Sequence, residues 1–384
     1  MLKKIILLVC LILTAILFCS LKYNNNHNQK TIIQFATWGS ESEMKILKPV
    51  LHNFEQANPD IKVDLMHIPQ NYFQKIHLLF ASNTAPDVIF MNNQYLPVYA
   101  NAGVLEDLTS YNQQFGFENF YKKSLEALSW NNHIYAVPRD VSNLVIYYNK
   151  DIFDKYKVPY PKSGWTYEEF LSKSKKLTQL PQVFGISFDE EPLFYMPYLM
   201  GFGIDYVPDF NDQKVKNVIQ NYADLRHKYH IAPLKTEASS MTMAQMFLQG
   251  RLAMHLSGRW LVPKYREEAK FHWDVIEFPK VNPFSKTPID ASGWVISKSS
   301  KNKKEAIKLV QYLSSKSSAQ QLAKSGLIVP ARIDCAETLQ DGQKPENSKI
   351  FTAIIETSTP TPVTVNYREI LDNLKSKTER IFNL

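Results

Sequence analysis

The sequence predicts an α/β protein of two lobes joined by crossing strands, and three observations carry this prediction. The first is a β-α-β-α-β alternation of patterns between residues 31 and 91. The second is the length of 384 residues, which is enough for two substantial cores. The third is the stretch 134–153, IYAVPRDVSNLVIYYNKDIF, in which two apolar runs flank a polar loop with Arg139 and Asp140. Charged groups beside buried strands need a partner, so we interpret this stretch as a crossing between lobes with binding groups beside it.

The elements of the first lobe follow from periodicity and caps. Ser40 or Ser42 is a candidate N-cap for the first helix, in which Val50 and Phe54 have helical spacing. The alternation of strands and helices predicts a mostly parallel sheet, and such sheets bind ligands at the carboxyl ends of their strands. The predicted elements are a strand at 31–36, a helix around 46–54, a strand at 61–68, a helix at 72–81 and a strand at 87–91.

The second half of the chain alternates in the same way. The run LVIYY at 144–148 is typical of a strand buried on both faces, and Thr166 is a candidate N-cap. Further strands are predicted at 185–188, 251–256, 273–278 and 290–297, and helices at 193–200, 215–227, 241–248 and 303–313. We expect residues 30–138 and 293–329 in the N-terminal lobe, and residues 139–292 and 330–384 in the C-terminal lobe.

The N-terminus predicts export. Lys3 and Lys4 precede an apolar run at 5–18, which is followed by Cys19 and a polar spacer, so residues 1–29 have the pattern of a secretory signal. Cys19 is a candidate lipidation site, although Phe18 stands where a lipoprotein signal usually has a small residue. An uncleaved anchor is the alternative. We therefore expect the protein in the periplasm or on the outer face of the cytoplasmic membrane, attached through the signal or a lipid.

Composition and motifs argue against several other classes. The formal net charge is +7, but the basic residues are scattered, and the lysine-rich segment 298–304 has no aromatic residues for nucleic-acid stacking. No HExxH, GxSxG or GxxxxGK motif occurs, so we expect neither catalysis nor a metal or cofactor. A glycosidase that uses Glu41 and Glu191 is the enzyme alternative. Cys335 lies alone in the body of the chain, so we expect no internal disulfide there.

Several segments resemble, in order, the bacterial extracellular solute-binding proteins of family 1, the sugar-type receptors of ABC importers. The resemblance implies the type II periplasmic-binding-protein fold, with a mostly parallel sheet in each lobe and a solute between the lobes. It also implies a membrane permease as partner, and we expect a monomer. The segments are FEQANPDIKV (54–63), APDVIF (85–90), GVLEDL (103–108), YAVPRDVSNLVIYYNKDIF (135–153), GWTYEEF (164–170), GRLAMHLSGRW (250–260), ASGWVIS (291–297) and YLSSKSSAQQLAKSGLIVPAR (312–332).

The resemblance also implies a ligand-binding set. Trp260 matches an aromatic platform for a sugar ring, and Glu191 in EEPLF matches a sugar-binding carboxylate. Leu193 stands where the maltodextrin receptors of the family have an aromatic residue, so a sugar or polyol is implied rather than a maltodextrin. A glycerol-phosphate-type ligand held by Arg139 or Arg368 is the second alternative. The full set is Trp38, Ser40, Glu41, Asn93, Gln94, Arg139, Asp140, Glu191, Gly258, Trp260, Gly293 and Tyr367.

Overall fold

The computed structural model describes residues 30–339 and 342–383. The predicted signal and the candidate lipidation site Cys19 lie outside the described residues. Within the described ranges, no helix is long and apolar enough to cross a membrane.

The chain alternates strands and helices through most of its length. The strands are β1 (Thr31–Thr37), β2 (Ile61–His67), β3 (Val88–Asn92), β4 (Ser129–Trp130), β5 (His133–Ile134), β6 (Val137–Ser142), β7 (Val145–Asn149), β8 (Met254–Ser257), β9 (Trp273–Glu277), β10 (Thr287–Ile296), β11 (Val329–Pro330) and β12 (Ser358–Pro360). The helices of the first half are α1 (Glu41–Ala57), α2 (Tyr72–Ala81), α3 (Leu96–Asn101), α4 (Asn112–Phe115), α5 (Lys122–Ala127), α6 (Lys150–Lys155) and α7 (Tyr167–Leu177). Those of the second half are α8 (Pro192–Gly201), α9 (Gln213–His227), α10 (Lys235–Ala238), α11 (Met243–Leu248), α12 (Val262–Glu268), α13 (Lys303–Leu313), α14 (Lys316–Lys324), α15 (Ile350–Ala353) and α16 (Tyr367–Phe382).

Two of the predicted caps form as the sequence indicates. Ser40 accepts a hydrogen bond from the backbone N–H of Glu43, whose carboxylate accepts one from the Ser40 N–H, so α1 begins with a capping box. Thr166 and Glu169 make the same reciprocal pair at the start of α7. The cap at Ser40 places the start of α1 directly after the loop that leaves β1.

The first sheet has the strand order β11-β6-β10-β3-β1-β2 in the described chain, and β12 also pairs with β10. Strand β1 is parallel to β2 and β3, as the opening alternation predicts. Strand β10, which returns from the second lobe, is antiparallel to β3 and β6. The sheet is therefore mixed, with its parallel half formed by the first strands of the chain.

The second sheet, β8-β7-β9, is antiparallel throughout its described pairs. The prediction of a mostly parallel sheet in each lobe is therefore wrong for this lobe, whereas the two-lobed α/β class is confirmed. All five residues of β7 are buried, as the apolar run predicts. A continuous apolar run indicates that a strand is buried on both faces. It does not by itself decide whether the neighbouring strands run parallel or antiparallel.

The chain passes from one sheet to the other within two residues. Ser142 at the end of β6 pairs with Asp290 of β10, and Val145 at the start of β7 pairs with Ser257 of β8. The crossing therefore lies at residues 143–144, and the expected lobe boundary between residues 138 and 139 falls too early. Residues 139–142 belong to the first sheet because their backbone groups pair with β10 and β11.

The C-terminal part of the chain contacts both lobes in turn. Asn347 donates a hydrogen bond to the Val275 carbonyl of β9, at 3.1 Å, whereas β12 pairs with β10 in the first sheet. Helix α16 then packs into the second apolar core through Leu374 and Phe382. We expected all of residues 330–384 in the C-terminal lobe. Helix α16 packs on that lobe, whereas β12 lies in the first sheet.

Gly293 provides a test of the packing between β10 and β6. A Cβ atom at this position would overlap the Val137 carbonyl oxygen and lie 3.1 Å from Leu128. Because backbone atoms move less readily than side chains, we expect Gly293→Ala to lower the free energy of unfolding by roughly 1–3 kcal/mol, measured by urea denaturation. Ser292→Ala, on the same strand, is the control and should change it by less; equal stability of both variants would contradict this packing.

Candidate functional site

The larger cavity of the described chain has a volume of about 790 Å³ and lies between the lobes. Trp38, Ser40 and Gln94 reach it from the strand ends of the first sheet. Arg139, Asp140, Ser142, Asn143, Asp290 and Ser292 reach it from the crossing strands, and Leu193, Arg259 and Trp260 from the second lobe. Both tryptophans and residues 139–143, predicted as a polar loop but found in the second half of β6 and the start of the link to β7, thus line one cavity.

A smaller cavity of about 230 Å³ adjoins it. Its walls come from the loop after β3, the start of α8 and the inner face of α16, and they include Tyr95, Glu191, Met196, Tyr367, Arg368, Asp372 and Lys375. Four residues line both cavities, namely Gln94, Ser142, Leu193 and Asp290. The two cavities therefore meet along a shared wall, and together they form a cleft that reaches both lobes.

Trp38 is held against the first core by aromatic contacts. Its ring centroid lies 4.2 Å from that of Phe90 and 5.0 Å from that of Tyr72. The Arg139 guanidinium covers Phe90 as well, with 3.9 Å between its carbon and the ring centroid. Arg139 also donates two hydrogen bonds to Asp140, at 3.2 and 3.1 Å. Trp38 and Arg139 therefore form one wall of the cleft, and the guanidinium already has a carboxylate partner.

Trp260 forms part of the opposite wall. It lies in the short 3-10 helix Arg259–Leu261, which follows β8, and its side chain is partly exposed to the cavity. The ring rests on the backbone of Gly258, where a Cβ atom would overlap it. The Tyr147 hydroxyl donates a 2.8 Å hydrogen bond to the Gly258 carbonyl and so fixes this turn from below. Gly258 therefore supports the tryptophan and does not itself line either cavity.

The smaller cavity has ion pairs along its rim. Glu191 pairs with Lys375 of α16, and this hydrogen bond raises the pKa of the Lys375 ammonium. Two turns earlier in the same helix, Arg368 lies 3.7 Å from Asp372. The carboxylate predicted to bind a solute is thus on the cavity wall, with one cationic partner from the protein. Tyr367, also predicted, is buried on the same wall.

Four of the predicted residues line neither cavity. The Glu41 side chain is 82% exposed and faces His67, at 4.0 Å. Asn93 is 1% exposed, donates to Asp290 and accepts from the Ala291 N–H, so its amide holds β10. Gly293 is buried in the first sheet, and Gly258 lies beneath Trp260. The structure therefore places Asn93, Gly258 and Gly293 in supporting positions and Glu41 at the surface.

The structure also adds cavity-lining residues to the predicted binding set. Ser142 and Asp290 face each other across the crossing strands and line both cavities. Arg259, beside Trp260, is buried, donates to the Ile328 carbonyl at 3.1 Å and covers the Phe351 ring. A charged residue within an otherwise apolar strand was the available signal for Asp290. Across residues 30–339 and 342–383, no cluster of His, Cys, Asp and Glu side chains could hold a metal ion.

Comparison with known proteins agrees with this geometry. The sequence profile of the bacterial extracellular solute-binding proteins matches residues 38–320. The chain belongs to this family. Among curated relatives, the maltodextrin-binding protein MdxE of Bacillus subtilis is 25% identical over 348 residues, which cover 84% of this chain and 78% of that protein. The galactooligosaccharide-binding protein of the same organism is 21% identical over 349 residues, which cover 88% and 82%.

Solved structures place this solute-binding protein among two-lobed receptors. An ABC substrate-binding protein from Listeria monocytogenes in complex with cycloalternan superimposes with a TM-score of 0.84 and 28% identity, covering 92% of this chain and 94% of the other. Maltose-bound MalE3 of T. maritima superimposes with a TM-score of 0.79 and 22% identity, covering 92% and 94%. The second likeness shows the fold alone, and both agree with the interlobe cleft described above.

The packing of the Trp260 ring on the Gly258 backbone can be tested by a double-mutant cycle. Gly258 has φ −96° and ψ 176°, a backbone conformation that alanine adopts, so Gly258→Ala adds a steric conflict with the ring and no backbone strain. We expect a loss of about 1–3 kcal/mol in the free energy of unfolding, with greater quenching of tryptophan fluorescence as the ring moves outward. In a Trp260→Ala background, Gly258→Ala should lower the free energy of unfolding clearly less. Equal losses in both backgrounds would refute the packing of the ring on Gly258.

Proposed function

We propose that this solute-binding protein is the extracytoplasmic receptor of an ABC importer and binds a sugar, in particular an oligosaccharide, between its lobes. The observation that carries the proposal is a cleft with Trp38 and Trp260 on its walls and the polar side chains of the crossing strands on its floor. The relatives named for maltodextrin and galactooligosaccharide binding, and the cycloalternan complex, support the same substrate class.

The chemistry of the cleft suits a carbohydrate. A sugar ring has apolar faces, which stack on an aromatic side chain, and a polar rim, which needs hydrogen-bond partners. Trp260 offers the aromatic face, and Gln94, Asp140 and Ser142 offer amide, carboxylate and hydroxyl groups. The larger cavity, at about 790 Å³, falls within the range of small-molecule sites in proteins.

The crossing strands suit a receptor that closes around its solute. Each lobe supplies one wall, and the lobes join at the two-residue link of residues 143–144, where a small backbone rotation moves one wall toward the other. The free energy of closure then comes from contacts that the solute makes only in the closed state. We further propose that the closed monomer delivers the solute to a membrane permease, and that the predicted signal or a lipid at Cys19 keeps it at the membrane.

The two alternatives receive less support from the geometry. A phosphate ligand needs an available guanidinium, but Arg139 and Arg368 each face a carboxylate, Asp140 and Asp372. Hydrolysis of a glycosidic bond needs two carboxyl groups on either side of the bond. Glu41 lies outside both cavities and Glu191 is paired with Lys375, and the family consists of solute-binding proteins.

The first test is a ligand panel. Purified protein should unfold at a higher temperature with maltotriose or a galactooligosaccharide than without, since a ligand at a hundredfold its Kd stabilises by about 2.7 kcal/mol. Glycerol phosphodiesters and polyamines should give no shift. A synthetic glycoside tests for hydrolysis in parallel. The absence of a shift with every mono-, di- and oligosaccharide would refute the sugar assignment, and a shift with a phosphodiester alone would favour the phosphate alternative.

The second test removes the aromatic wall. Trp260→Ala should weaken binding of the best sugar from the panel by roughly tenfold to a hundredfold, because burial of an aromatic ring contributes about 1.5–3 kcal/mol. Titration calorimetry measures the affinity, and circular dichroism checks the fold. Phe284, an aromatic residue that is 89% exposed and lines neither cavity, provides the control variant Phe284→Ala. Unchanged affinity of Trp260→Ala would remove the stacking assignment.

A further inference from the structure

Asp290 occupies the position where the two cavities meet. It lies on β10, directly opposite Ser142 of β6, and both side chains line both cavities. Because β10 and β6 are the strands that lead into and out of the second lobe, a solute that enters either cavity passes this carboxylate. No other carboxylate among the lining residues is shared by the two cavities.

The partners of Asp290 are neutral. Asn93 donates to one carboxylate oxygen at 2.9 Å, and Gln94 donates to the other at 3.2 Å. These two amides and the neighbouring Thr361 hydroxyl fill part of an acceptor capacity of about four hydrogen bonds. Three other carboxylates of the cleft have cationic partners, namely Asp140 with Arg139, Glu191 with Lys375 and Asp372 with Arg368. Asp290 has no ion pair within residues 30–339 and 342–383, so this half-buried carboxylate retains acceptor capacity beside the cleft.

A second polar group on the same wall also has unused capacity. The Tyr367 hydroxyl is buried and has no hydrogen-bond partner among the described residues. Burial raises the pKa of this hydroxyl, and the nearby charge of Asp290 adds to the shift, so Tyr367 keeps its proton and can donate it. Buried polar groups of folded proteins are normally paired, so a hydroxyl left unpaired on a cavity wall indicates a ligand partner.

We propose that Asp290 determines the specificity of the cleft for hydroxyl-rich solutes by accepting hydrogen bonds from neighbouring hydroxyls of the bound sugar, with the Tyr367 hydroxyl as an additional donor. This inference rests on the proposed function. A solute that lacks these hydroxyls leaves a desolvated carboxylate without partners, which is the most effective way for a polar site to reject an analogue.

The inference includes a dependence of affinity on pH. Burial raises the pKa of Asp290, and the polar contacts with Asn93, Thr361 and Gln94 partly oppose this shift. The ionised carboxylate is the form that accepts from the sugar, so binding requires loss of the proton when Asp290 is protonated. Affinity should therefore be greatest above the raised pKa and fall as the pH drops through it. The other titratable or charged groups of the facing elements are Tyr95, Arg139, Asp140, Glu191, Tyr367, Arg368, Asp372 and Lys375.

The test compares Asp290→Asn with the wild-type chain by titration calorimetry, with maltotriose and a galactooligosaccharide as probes, from neutral to acidic pH. Asp290→Asn should lose at least about tenfold in affinity at neutral pH and should show a flatter pH profile. Asp64→Asn, at an exposed carboxylate of β2, is the matched control and should keep both wild-type properties. A purely structural role of Asp290 would lower stability without flattening the pH profile.

Tyr367→Phe covers the case in which Asp290→Asn does not fold. It removes one unpaired hydroxyl and no protein hydrogen bond, so it should weaken binding severalfold while the unfolding temperature of the free protein stays the same or rises. If the wild type binds a probe and the affinities of Asp290→Asn and Tyr367→Phe match it at every pH, the role of Asp290 is refuted and the sugar receptor stands. If the wild type binds no mono-, di- or oligosaccharide of the panel, both proposals fail.

Discussion

The pairing of β6 with β10 is the constraint on which the cleft depends. These strands lead the chain into the second lobe and back, and their registered pair Ser142 and Asp290 fixes where the two sheets join. Every wall residue takes its position from this junction, because Trp38 and Gln94 follow strands of the first sheet and Trp260 follows a strand of the second. Asn93 reinforces the junction by bonding both Asp290 and the Ala291 backbone. The binding surface is therefore built around a short stretch of hydrogen-bonded backbone.

Much of this arrangement was predictable from local patterns. The strand and helix periods gave the α/β class, and Ser40 and Thr166 begin helices where the capping pattern indicates. The polar loop of residues 139–143 between two apolar runs identified the first crossing. Strand direction in the second lobe was beyond such reasoning, because β7 is buried on both faces and its apolar run fits parallel and antiparallel partners equally.

Local sequence patterns also could not predict the orientation of single side chains. At the end of β3, Asn93 turns inward while its neighbours Asn92 and Gln94 line the cleft, and the three successive amides give no sign in the sequence of which ones face the solute. On β10 the polar side chains Asp290 and Ser292 face the cleft, whereas Gly293 is packed against Val137. Side chains alternate between the two faces of a strand, so one register choice decides the site, and only long-range pairing makes that choice.

The repeated passage of the C-terminal segment between the lobes affects how the joint moves. Asn347 holds β9, β12 joins β10, α16 packs on the second core, and the buried Asn143 amide at the link donates to the Phe351 carbonyl at 2.8 Å. A joint of a single strand would permit twisting as well as bending. Several ties at different points oppose twisting of one lobe against the other, so the joint is stiffer in torsion than a single strand would be.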